Sequence, residues 1–112
     1  MKPEKQRIAI AEACGWTDIV RRNPCDFGGL RGKDSGGCMR IIPSYLRDLN
    51  AMHEAEKTII GYYEVFEDYK HLLSDIVWRD TGETDGFEIH STAAQRAEAF
   101  LYVVRKWEDD QD

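Results

Sequence analysis

Residues 91–107 read STAAQRAEAFLYVVRKW, and their reading decides the fold. Thr92 suits a helix N-cap, and Gln95 three positions later completes the T-x-x-Q form of a capping box. Behind that start, Ala93, Ala97, Phe100, Leu101 and Val104 fall on one helical face. The small side chains of Ala93, Ala94 and Ala97 let the helix lie close to a neighbour. Arg105 and Lys106 sit where the carbonyl end of a helix favours cations. An amphipathic helix of this kind needs other elements to cover its stripe.

Upstream segments supply them. YYEVFEDYKHLLSDIVW (62–78) carries Tyr62, Val65, Phe66, Tyr69, Leu72, Leu73 and Ile76 at helical spacing. Before it, Leu49, Met52, Ala55, Ile59 and Ile60 mark another helix, with Asp48 at its start and Gly61 separating the two. At the front, PEKQRIAIAEAC (3–14) has Pro3 and Glu4 in a first turn and Ile8, Ala11 and Cys14 on one face. Gly15 suits a left-handed cap, and Trp16 can fold back on the last turn.

Strand signals are weaker. CMRII (38–42) reads as a short strand stopped by Pro43. FEIH (87–90) alternates and reads as a half-buried strand after the RDTGETDG turn (79–86). Residues 17–38 read as a long glycine-rich loop, because NPCDFGGLRGKDSGG holds five glycines and a proline. A sheet needs a third strand, and WTDIVRR (16–22) is the candidate. The expectation is a helix-rich α+β fold, one domain over residues 1–112, with a frayed acidic tail at 109–112.

Composition narrows the function classes. The apolar content of 42 % and 12 aromatic residues fit a globular chain rather than a disordered one. No long apolar run follows the charged start MKPEKQR, so neither a signal peptide nor a membrane span is expected, and the expected compartment is the cytoplasm. Cys14, Cys25 and Cys38 are odd in number and form no C-x-x-C pair, which argues against a disulfide framework or a structural zinc site. Residues 1–50 balance to +3 and residues 51–112 to −9, together −6. That sum disfavours nucleic acid as a partner; for the acidic half solubility is the favoured reading, and attraction of a basic partner the alternative.

Candidate chemistry is sparse. GLRGKDSGG fails the phosphate-loop pattern, because Phe27 stands where a glycine is needed and Asp34 where a serine or threonine is. In DLNAMHEAE (48–56), His53 has Glu56 as its same-face partner and Lys57 at i+4, whereas the zinc motif H-E-x-x-H needs histidine at 57. A boundary histidine bonded to its neighbour is the favoured reading. Ser44, Ser74 and Ser91 lack a nucleophile-elbow context. Arg21, Arg22, Arg31, Lys33 and Arg40 could form a basic rim beside Trp16 and Phe27, and solvated cations are the favoured reading. No catalytic residue, metal or cofactor is assigned.

Three segments carry a resemblance. EKQRIAIAEACGW (4–16), IPSYLRDLNAMHEAEK (42–57) and STAAQRAEAFL (91–101) with its following tryptophan occur in this order. In them the chain resembles the phage ABA sandwich domain family of small bacteriophage and prophage proteins. The resemblance implies an α/β/α layered sandwich with a small sheet, a phage or prophage origin and the bacterial host cytoplasm. It supplies no catalytic residues.

Two functional readings follow. The first is a non-enzymatic binding module acting on a host or phage protein. The alternative is a ligand-sequestering or hydrolytic protein with its site between the glycine-rich segment and the helix starting near Asp48. The residues available for binding are Trp16, Arg31, Lys33, Tyr45, Asp48, His53 and His90. The alternative requires them to converge.

Overall fold

A computed structural model of the protein describes residues 1–21 and 29–109. The fold is α+β. Helix α1 spans Pro3–Ala13, and strands β1 (Thr17–Arg21), β2 (Leu30–Lys33) and β3 (Met39–Ile41) follow. Helices α2 (Leu49–Ile60), α3 (Tyr63–Thr81), α4 (Phe87–His90) and α5 (Ala93–Val103) complete the order.

Helix α5 is the centre of the assembly. It packs against α1, α2 and α3, and its Ala97, Ala99, Phe100 and Leu101 are fully buried. The capping box at its start is formed in both directions. Gln95 N donates to Thr92 Oγ1 at 3.1 Å, and Thr92 N donates to Gln95 Oε1 at 2.9 Å. The Gln95 amide then reaches Asp80 Oδ2 at 3.0 Å, so the cap of α5 also holds the end of α3. Ile10 and Ala11 of α1, Met52 and Ala55 of α2, and Leu73 of α3 close the core around α5. Asp48 caps α2 by accepting from Asn50 N at 3.0 Å and Ala51 N at 3.4 Å. Gly15, at φ +92°, follows the end of α1, and Trp16 N returns to Ala11 O at 3.0 Å.

The glycine-rich region is more ordered than its composition implies. Residues 17–38, read as a long loop, contain β1 and β2, while residues 22–28 lie outside the described residues. The three strands form one antiparallel sheet in the order β1-β2-β3. WTDIVRR thus supplies the third strand, and CMRII supplies β3. The piece that fails as a phosphate loop is strand β2 with the turn that leads to β3. Asp34 Oδ1 accepts from Gly36 N at 2.9 Å and Cys38 N at 3.0 Å, and Gly37 takes the left-handed position at φ +84°. Those amide donors, Cys38 first, hold the Asp34 carboxyl below its ordinary range.

Gly32 is needed for a different reason. The β1–β2 register shifts between Thr17 and Val20, with Asp18 at φ +51°. That bulge presses β1 onto β2, so a Cβ on residue 32 would lie 3.1 Å from both Ile19 Cγ1 and Thr17 O.

Along β2, Leu30 and Gly32 face inward while Arg31 and Lys33 face outward. Leu30 and Ile42 join the helical core, whereas Val20, Met39 and Ile41 are exposed. Among the described residues, no helix covers that outer face, so the second helical layer of an α/β/α sandwich is not seen.

Two sequence readings are corrected. FEIH is not a strand but the one-turn helix α4. It has no neighbouring strand, and Ile89 N and His90 N satisfy themselves locally on Gly86 O at 2.9 Å. Tyr62, placed on the apolar stripe of α3, is instead the exposed N-cap residue. The frayed-tail expectation falls mainly on residues 110–112, outside the described residues.

Gly32→Val should destabilise the protein by about 1–3 kcal/mol through overpacking against the β1 backbone. Urea unfolding of the two proteins checks this, with an unchanged midpoint as the contrary result.

Candidate functional site

Four helical side chains meet inside the molecule. Glu56 of α2 and Arg96 of α5 are 6 % and 7 % exposed, yet both are charged residue types. Arg96 Nη1 donates to Glu56 Oε2 at 3.1 Å and Oε1 at 3.3 Å. Tyr69 of α3 donates its hydroxyl to Glu56 Oε2 at 2.8 Å. His53, one turn earlier on α2, places Nδ1 3.1 Å from Glu56 Oε1. The second terminal nitrogen of Arg96 donates to the Glu88 carbonyl, which fastens α4 to the bundle. Burial and the Glu56 carboxylate together push the Tyr69 phenol well above its usual range.

This arrangement decides the histidine question. His53 is a half-exposed boundary residue bonded to Glu56, as its spacing implied, while Lys57 turns to Glu54 at 2.8 Å. Glu56 is not a surface carboxylate, because its oxygens are taken up by tyrosine, arginine and histidine. Arg96 was overlooked in the sequence. Its signal was positional: residues 93, 96, 97 and 100 share one helical stripe, and Arg96 is the charged member.

The remaining candidates fall into separate places. Trp16 and Tyr45 do come together, with Cys14, where the end of α1 meets the turn leading to α2. Tyr45 is buried there, and desolvation raises its phenol well above the ordinary value. The same burial pushes the Cys14 thiol up to about 11, so it stays protonated and inert. Asp48 is used as a helix cap. Lys33 pairs with Asp18 at 3.2 Å across the bulge, and Arg31 lies on the outer sheet face. His90 lies on α4, its ring beside Gly86, where an added Cβ would be 2.9 Å from His90 Cδ2.

Three cations of the basic rim have surface ion-pair partners. Arg21 meets Glu4 at 3.1 Å and Arg40 meets Asp34 at 3.5 Å, in addition to the Lys33 pair. Arg22 and Phe27, also assigned to that rim, and Cys25 lie outside the described residues. Among the described residues, no group of three or more His, Cys, Asp or Glu side chains could hold a metal ion, and Cys14 and Cys38 are free thiols. No helix there is long and apolar enough to cross a membrane.

The surface has a feature that the sequence understated. At the α2–α3 corner, Ile60, Tyr62 and Tyr63 are 52 %, 67 % and 76 % exposed, and Ile89 of α4 is 77 % exposed. Lys70 of α3 lies nearby. Its ammonium stands 5.3 Å over the Phe66 ring and 2.9 Å from Glu67, and both Glu88 and Tyr63 act on its charge. Residues 51–91 carry ten Asp/Glu and three Lys/Arg, so the apolar and aromatic side chains stand in an acidic field.

The chain matches no protein-family model, and no curated protein or solved structure is significantly similar to it.

Two expected outcomes follow from the buried polar groups. Arg96→Met leaves Glu56 buried without its cation and should cost about 3–5 kcal/mol in thermal or urea unfolding. The double variant Glu56→Met with Arg96→Met should recover most of that loss. On the alkaline side, Tyr45 and Tyr69 keep their protons in the folded state, whereas an unfolded tyrosine titrates near pH 10. Their folded-state values are raised, so their contribution is complete below about pH 10 and is lost as pH rises beyond it. Absorbance at the phenolate band should show these two tyrosines ionising only as the fold is lost.

Proposed function

We propose that this chain is a non-enzymatic binding module of bacteriophage or prophage origin. It works in the bacterial host cytoplasm by seating a basic host or phage protein on its acidic helical half. The observation that carries the reading is the exposure of Ile60, Tyr62 and Tyr63 together at the α2–α3 corner, with Ile89 exposed on α4, which packs against α3. Large aromatic side chains cost little conformational entropy to fix and contribute strongly at protein interfaces. Here they stand in a segment with ten acidic and three basic residues. Charge complementarity then selects a basic partner and speeds encounter, while the aromatic group supplies residence time. The phage origin and compartment rest on the resemblance in residues 4–16, 42–57 and 91–101.

The buried polar network supports this reading from another side. Arg96, Glu56 and Tyr69 stiffen the three helices, and Arg96 holds α4 through the Glu88 carbonyl. A rigid platform binds with less ordering cost than a mobile one.

Affinity capture from a bacterial host lysate with the intact protein tests it. Tyr62→Ser with Tyr63→Ser should weaken binding of a basic partner by roughly 30-fold, matching about 2 kcal/mol for a hot spot. Met39→Ser with Ile41→Ser, on the outer sheet face, should leave binding intact. No captured partner, or a partner retained by the tyrosine variant, would overturn the proposal.

A further inference from the structure

A second concavity lies away from the aromatic corner. Its volume is about 650 Å³, within the range of small-molecule sites. The N-terminal turns of α1 form one wall, the start of β2 the floor, and the β3–α2 connection the other wall. Ile41 and Leu46 give the surface its apolar part, over the buried Leu30 and Ile42, while Arg7, Arg21 and Arg47 face it with Glu4 as the one acid among the described lining residues. Such a cleft presents an apolar bed beneath a cationic rim.

One cation of the rim, Arg7, is held in place by the backbone. Arg7 donates Nε to the Pro43 carbonyl at 2.9 Å and a terminal nitrogen to the Ile42 carbonyl. Those bonds pin the β3–α2 connection to α1 and fix a guanidinium charge in the wall. Opposite, the turn closed by Arg47 N on Ser44 O at 3.0 Å carries Arg47 to the edge of the cleft. Arg21 reaches the same cleft from β1 and shares Glu4 at 3.1 Å. A guanidinium offers a planar fork of donors that matches a carboxylate.

We propose that this cleft binds a small amphipathic carboxylate, its head between Arg21 and Arg47 and its apolar body against Ile41 and Leu46. The site uses none of the aromatic corner and so stands independently of the protein-binding reading. The site expected from the sequence, with His53 or His90 beside Arg31 or Lys33, is a different one, because none of those four side chains lines this cleft. Of the seven residues considered for binding, Tyr45 alone lines it.

Amide NMR titration of the intact protein with naphthylacetate tests the proposal, with naphthylacetamide as the uncharged counterpart and inorganic phosphate as a head without a body. Saturable shifts around residues 42–47 and at Arg21 and Leu30 are expected. The amide and the phosphate should each bind about tenfold more weakly, as should Arg47→Gln, the loss of one charge-assisted hydrogen bond. Arg47 is exposed, so its replacement should leave the unfolding midpoint unchanged; should it not, Arg21→Gln serves in its place. Equal binding of acid and amide, shifts centred elsewhere, or no saturation would overturn it.

Discussion

The Glu56–Arg96 pair is the constraint on which the helical half depends. Two charges have been taken out of water, and that is tolerable only because each finds fixed partners. Glu56 receives Arg96 and Tyr69, with His53 at the edge, and Arg96 also reaches Glu88 O. The pair therefore ties α2, α3, α4 and α5 into one arrangement. An apolar contact would allow the helices to slide by part of a turn, whereas a hydrogen-bonded ion pair between them sets their register. The cost is a strict demand on geometry, visible in the Arg96 Nε and Ser91 Oγ atoms, which are buried and without a protein partner among the described residues.

This rigidity has a counterpart in the small half of the molecule. There the charged side chains Asp34 and Arg7 hold backbone groups rather than each other. Asp34 gathers the amides of the hairpin turn, and the β1 bulge makes a side chain at position 32 a tight fit. Arg7 then clamps the segment after β3 onto α1 through two carbonyls. The two halves meet through Leu30, Ile42 and Tyr45, which enter the same core as Phe100 and Leu101.

Much of the helical framework was legible because its signals are local. Thr92 with Gln95, Asp48 before Leu49, and Gly15 after α1 are short-range chemistry, and all behave as their spacing implies. Gly82, at φ +76°, ends α3 later than the turn composition at 79–86 suggested. What was not legible depends on tertiary placement. FEIH alternates like a strand, yet alternation has meaning only beside another strand, and none lies next to it among the described residues. Tyr62 and Tyr69 share one apparent stripe, but α3 begins at Tyr63, so one is exposed and the other buried. Of the polar network, His53 with Glu56 was readable from i,i+3 spacing. Arg96 was not, because its partner lies 40 residues away.

The outer rim of the sheet carries a last consequence. β3 is an edge strand of three residues, with exposed Met39 and Ile41, and Pro43 stands just beyond it. A longer apolar rim would invite other chains to add themselves and grow into fibrils. Brevity and a proline that lacks an amide proton remove that template. The protein can thus keep sticky side chains at its margin without becoming a seed for its own aggregation.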